Sequence, residues 1–260
     1  IGDAASLEVD YVNSGRRNEK VIQENVNLRF NPQTGEPLAY SVAANRAYPR
    51  MGIISVTPYM GWSNYHAMQA AVTRRFRNNW QGSVTYTLGG LWNAIPAPMS
   101  GSQIVTFDVP PDLGNEYTLA GTDQRHRLVF NGIWQVGRGF QVSGVYFYGS
   151  GERDQIVAGD ENRDVGEWAT YRYREDGTIV PRNTFSGDAI HRVDMRLQQR
   201  VPLPGRMAID GVFEVFNLFD RANYGSYTLD ESSAAFLDPA QNANLAYAPR
   251  TLQLGLRFTF

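Results

Sequence analysis

No cysteine occurs anywhere in these 260 residues, so a disulfide scaffold and a thiolate metal centre are excluded. An excess of positive charge is missing too. Lysine and arginine total 24 against 26 acidic residues, a net charge of −2, which leaves no basic footprint for nucleic acid. Mean hydropathy is −0.38 and no run approaches 18 apolar residues, so a membrane-crossing helix is excluded as well. Membrane strands escape that exclusion, because each is apolar on one face only. No charged stretch followed by an apolar one opens the sequence, which is expected to be a mature chain or a piece of something longer. What the chain does have is aromatics: 14 Tyr, 13 Phe and 5 Trp suffice for interfacial girdles, although a sandwich core also uses them.

The clearest pattern is at the end. In RTLQLGLRFTF (250–260), Leu252, Leu254, Leu256, Phe258 and Phe260 share one face, while Thr251, Gln253, Gly255, Arg257 and Thr259 share the other. A period of two specifies a strand with an apolar and a polar face. In a soluble sandwich the polar face is outside; in an outer-membrane barrel the apolar face meets lipid and the polar face lines the lumen. Seven further segments carry the same period: 5–13, 65–76, 80–88, 125–135, 140–149, 190–200 and 207–217. Their lengths suit tilted membrane strands of about 9–11 residues better than soluble strands of about five or six.

The connections decide between the two. Residues 77–79, 136–139 and 201–206 carry tight-turn chemistry, whereas 14–64, 89–124, 150–189 and 218–249 are long. Long loops without structure are uncommon in compact soluble domains, but short and long connections alternate in outer-membrane barrels. The expected fold is therefore all-β: an antiparallel transmembrane β-barrel segment of about eight membrane strands in a single domain spanning 1–260. Short turns would be periplasmic and long loops extracellular. Parity then assigns 53–60 to the first loop, where Pro58 demotes it to an edge or non-membrane strand. Trp80, Trp134, Phe76, Phe140 and Phe260 would lie near the inner interface, and Tyr65, Tyr86 and Tyr148 near the outer one.

Six stretches, in order, carry a family resemblance: SNYHAMQAAVTRRF (63–76), DQRHRLVFNGIWQV (123–136), GFQVSGVYFYGSG (139–151), PRNTFSGDAIHRVDMRLQQRVPL (181–203), FEVFNLFDRANYG (213–225) and PRTLQLGLRFTF (249–260). Together they resemble the C-terminal barrel portion of TonB-dependent outer-membrane receptors of the Oar-like group. The resemblance implies a 22-stranded barrel around a plug, energy-coupled transport of a large solute, and contact with TonB through that plug. It also implies that Phe258 and Phe260 form the terminal signal read by the barrel-assembly machinery. Neither plug nor TonB-contacting box is found in this sequence. An open arc of eight strands would leave two unpaired edges in lipid. The alternative is that eight strands close on themselves, giving a small structural barrel or adhesin.

Such a receptor binds its cargo without chemistry, so no catalytic residue is expected. Candidate ligand contacts are aromatic and amide residues of the loops: Trp62, Asn64, Trp92, Trp168, Tyr171, Tyr173, Tyr224 and Tyr227. Aromatics supply contact area at little entropic cost, although loop aromatics also pack loops together. Inward charges (Arg75, Arg127, Asp194, Arg196, Glu214 and Arg257) match ordinary lumen lining, and their mixed signs argue against a strongly ion-selective pore. In GDENRDVGE (159–167), Asp160, Asn162 and Asp164 alternate before Gly166, a pattern that points to a structural calcium as well as to a plain acidic loop. His66, His126 and His191 each stand near the start of a strand at the outer rim. A rim hydrolase would need one of them between a nucleophile and a carboxylate.

Overall fold

The computed structural model describes residues 4–20, 25–33, 38–57, 59–94, 116–159, 164, 166, 172, 174–176, 178, 180–240 and 249–260. Its elements are β1 (Ala5–Lys20), β2 (Tyr59–Arg77), β3 (Trp80–Asn93), β4 (Thr118–Leu119), β5 (His126–Gly137), β6 (Phe140–Gly149), β7 (Arg153–Asp154), β8 (Phe185–Ser186), β9 (Ile190–Pro202), β10 (Ala208–Phe216) and β11 (Thr251–Thr259), with one 3-10 turn at Ala43–Asn45. No α-helix occurs among the described residues.

Eight long strands pair antiparallel with their neighbours in the order β1-β2-β3-β5-β6-β9-β10-β11, and β4 adds to β3. Each long strand overlaps one of the segments with the period-two pattern. Among the described residues nothing joins β1 to β11, so the sheet is an open path with two edges. The small pair β7-β8 lies apart from it.

Several boundaries differ from expectation, and β3 runs on to Asn93 instead of ending at 88. β1 runs on to Lys20 instead of ending near 13, and β2 begins at Tyr59 instead of 65. The continuation SGRRNEK (14–20) is polar on both faces, so periodicity gives no sign of it. The segment expected as a separate extension at 53–60 is also revised. Tyr59 and Met60 open β2, 53–57 forms no strand, and Pro58 lies outside the described residues. Backbone pairing, not side-chain alternation, carries β1 and β2 beyond their apolar portion, in register from Ala5↔Arg74 to Arg17↔Trp62.

Burial separates barrel wall from sandwich. Among the described residues the buried apolar side chains are only Ala67, Ala94, Ala120, Val180, Ala208 and Val215. A soluble sandwich would bury its Leu and Phe between two layers. Here Leu254 is 81% exposed, Leu256 86% and Leu7 55%, with no second layer over them among the described residues. The register places Val72, Val84, Phe130, Met195 and Phe213 on that same apolar face.

The opposite face is polar and cross-linked along β9 and β10. Arg192 Nε lies 2.8 Å from Asp194 Oδ1, Arg196 approaches Glu214 at 3.8 Å, and Asp194 accepts the Asn217 N–H at 2.8 Å. Arg127, Asp194, Arg196, Glu214 and Arg257 share this face, as alternation requires. Tyr65 does too, because it aligns with Ser14 and Leu91 in the row of Ala67 and Gln69; it is not a girdle residue. The polar face also carries apolar residues, with Val129 directly opposite Phe147.

The tight turns depend on left-handed backbone. Asn78 and Asn79 have φ of 55° and 68°, a conformation asparagine tolerates. Gly139, at φ 79°, lies so close to the backbone of Arg200 that any Cβ would collide with its carbonyl. Only glycine fits there.

Candidate functional site

All four long connections leave the sheet at one end, opposite the tight turns. Polar contacts tie them into a layer. Ser41 N–H donates to both carboxylate oxygens of Asp164 at 3.1 and 3.0 Å, joining the first loop to the third. Arg172 makes a bidentate pair with Glu116 at 2.8 and 3.1 Å, joining the third to the second, with both side chains nearly buried. Arg182, 6% exposed, donates to the carbonyl oxygens of Ala94 and Asn93 and to the Asn93 amide oxygen. Burial pushes its guanidinium down to about 10, which still leaves it charged at neutral pH. Arg174 and Glu231 form a two-pronged pair at 2.6 Å between the third and fourth loops. The hydrogen bond from Arg174 holds the Glu231 carboxyl below its usual range.

The candidate residues separate into groups. Trp62 and Asn64 stand on β2 and Trp92 on β3, in strands and not in loops. Trp62 and Asn64 alternate with His66 and Met68, which puts them on the apolar face and outside the lumen. There Trp62 stacks with Tyr117 (centroids 5.9 Å apart, planes at 22°), and Asn64 Nδ2 donates to the Tyr117 hydroxyl at 2.6 Å. Arg17 Nη2 donates to Asn64 Oδ1 at 2.9 Å, and its Nη1 to the Ser63 carbonyl at 3.0 Å. Together they border a groove of about 430 Å³. Trp92 packs edge-on to His66 at 6.1 Å, with Arg125 over its ring at 5.3 Å.

Tyr227 has a packing role. Its ring meets Phe185 at 4.8 Å and its hydroxyl accepts the Asp188 N–H at 2.9 Å, so it pins the fourth loop to the third. Burial raises its phenol above the usual value. Tyr224 is half-buried in the same loop. Trp168, Tyr171 and Tyr173 lie outside the described residues, as do Asp160 and Asn162 of the candidate calcium set. The third member of that set, Asp164, has its carboxylate engaged by Ser41. No group of three or more His, Asp or Glu placed to hold a metal occurs among the described residues. Phe258 and Phe260 stack at 6.0 Å and are 54% and 92% exposed.

The histidines form a series the sequence does not reveal. Each shares a hydrogen bond through Nδ1 with a tyrosine of the preceding long strand: His66 with Tyr11 at 2.7 Å, His126 with Tyr86 at 2.7 Å, and His191 with Tyr146 at 3.0 Å. All six residues lie on the apolar face. In each case the tyrosine lies two positions off the histidine's direct partner, a diagonal contact within reach of long side chains. Because each pair is 40 to 55 residues apart in sequence, only the register brings it together. Tyr117, just before β4, likewise reaches Asn64 from 53 positions away.

Against this geometry, the comparisons agree on the architecture. Residues 1–178 match the family model described as an outer membrane beta barrel domain. Among solved structures, the outer membrane transporter YddB from Escherichia coli superposes with a TM-score of 0.59 at 11% identity. That match covers 98% of this chain and 30% of the transporter chain, so this chain spans under a third of its length. No curated protein matches the sequence. The apolar face thus faces lipid in the outer membrane of a Gram-negative bacterium. The eight antiparallel strands, the uncovered apolar face and the family match support one conclusion: the chain belongs to the outer membrane beta-barrel domain family.

Proposed function

We propose that this chain is wall and loop layer of an energy-coupled transporter, a TonB-dependent receptor of the Oar-like group that carries a large solute across the outer membrane. The observation that carries this reading is the open sheet. β1 and β11 each present an unpaired edge among the described residues. Such edges are not viable in lipid, where no water satisfies the backbone. A larger barrel, 22-stranded in this reading, supplies the missing neighbours. The superposition on under a third of an outer membrane transporter supports a wall larger than this chain.

In this reading the polar face of β5 to β11 borders the lumen and the plug, and the solute meets the loop layer. Tyr224 and the third-loop residues Trp168, Tyr171 and Tyr173 are the candidate solute contacts. Phe258 and Phe260, exposed and stacked, serve as the signal for the barrel-assembly machinery.

The experiment is capture of the whole protein, extracted in detergent from native outer membrane, on immobilised TonB periplasmic domain. Retention of a species carrying peptides from 190–200 and 250–260 is the expected outcome. Complete flow-through, with those peptides in a species of 29.1 kDa, would support a small self-closed structural barrel instead.

A further inference from the structure

We propose that the groove beside Trp62 is a binding site for the phosphorylated sugar headgroup of an outer-leaflet glycolipid. The inference rests on the lipid-facing assignment of the apolar face and is independent of the transport reading.

Position comes first. Trp62 and Asn64, four and two residues before His66 on β2, continue the face that carries His66, Met68 and Val72. Tyr11 and His66 form one of the tyrosine–histidine pairs on that face. Amphipathic aromatic and imidazole rings favour the membrane–water boundary. The groove therefore begins one step beyond the boundary on the long-loop side, which is extracellular in outer-membrane barrels. It also opens away from the lumen, toward the lipid headgroups and not toward a cargo path.

Chemistry comes second. The Arg17 guanidinium is held from behind by the carbonyl oxygens of Arg16 and Ser63 (2.6 and 3.0 Å) and by Asn64 Oδ1 (2.9 Å). Among the described residues its Nε–H and one Nη2–H have no protein acceptor. Those donors remain available to phosphate oxygens, on a guanidinium that its protein contacts hold in place. Asn64 is a positioning residue, since its carbonyl holds Arg17 and its amide donates to Tyr117 at 2.6 Å. Tyr117, 37% exposed and backed by Trp62, offers a flat ring against which the apolar face of a sugar packs. The groove, about 430 Å³, falls within the roughly 300–1,000 Å³ of typical ligand sites.

Charge complementarity extends past the groove. Lys20, over the Tyr59 ring at 5.9 Å, stands beyond Arg17, and Arg125, over Trp92 at 5.3 Å, stands on the other side. Each cation is seated on an aromatic ring, an arrangement that suits an anionic amphiphile with more than one phosphate.

The test uses the whole protein in lipid-stripping detergent, with lipid A added and bound copies counted by native mass spectrometry. Lipid A should bind about tenfold more tightly than its enzymatically dephosphorylated form and than phosphatidylglycerol, a margin of about 1.4 kcal/mol. Arg17→Gln and Tyr117→Ala should each remove that preference, and Arg17→Lys should restore part of it because it keeps the charge without the fork. Equal binding of all three lipids by the wild-type protein would overturn the proposal and leave annular lipid only. So would an unchanged preference in Arg17→Gln. The wild-type comparison stands even where a variant fails to fold.

Discussion

Arg172 and Glu116 show what single residues contribute to the loop layer. With both side chains nearly buried, removing one leaves the other charged and unpaired. Arg172→Ala is expected to cost about 3–5 kcal/mol, whereas replacing both partners with apolar residues of similar size should be near neutral. Thermal melting of the folded barrel, with limited proteolysis of the loops, distinguishes the two. The Arg174–Glu231 clamp predicts a pH effect of defined sign. Arg174 lowers the Glu231 carboxyl below its unfolded value, so the stabilisation is full above the ordinary glutamate range and fades as pH falls through the lowered value. Hydrogen-exchange protection around residues 228–233, relative to the intrinsic rate at each pH, should fall only in acid, and Glu231→Gln should remove that dependence. Gly139→Ala should cost about 1–3 kcal/mol through left-handed strain alone, and more through its collision with Arg200. By contrast Gly137→Ala, with open space around it, should suffer the strain only; folding yield in lipid compares them. Little of this was legible in the sequence. Arg172 and Glu116 are 56 positions apart, and neither carries a local signal of burial. Tyr227 was legible as an aromatic in a loop but not as the pin it is, since a solute contact and a packing contact use the same residue type.

Strands were the legible scale. All eight long strands follow from alternation, because one face must be apolar for lipid and the other is free to be polar. Legibility ends where that demand ends. Beyond the apolar portion, residues 14–20 stay paired through backbone hydrogen bonds and polar side chains such as Arg17, without an apolar face, and Trp62 and Asn64 consequently look like loop residues. Tyr65 is a similar case: its chemistry suggests a girdle, but its position in the alternation puts it on the polar face. β11 gives the sharpest test of the face assignment. Leu254→Arg should cost about 2–4 kcal/mol if it lies near the bilayer midplane, and Gln253→Arg, on the lumen face, far less. The absence of native cysteine allows a second check. Leu254→Cys and Leu256→Cys should resist a water-soluble maleimide in intact membrane, while Gln253→Cys and Gly255→Cys should react. A uniform response along 253–256 would contradict the assignment.

At the scale of the whole molecule, the edges of β1 and β11, unpaired among the described residues, dominate the account. Sequence alone left open whether eight strands close or join a larger wall, since neither arrangement changes the alternation within a strand. The open path, and a superposition on 30% of an outer membrane transporter, favour the larger wall as our proposal. The most direct measurement is gel mobility of the native outer-membrane protein, unboiled and boiled, with peptide mapping of each band. A heat-modifiable species well above 29.1 kDa that carries peptides of β9 and β11 is the result this account predicts. A heat-modifiable band at 29.1 kDa carrying the same peptides would mean that the eight strands close on themselves, and would contradict it.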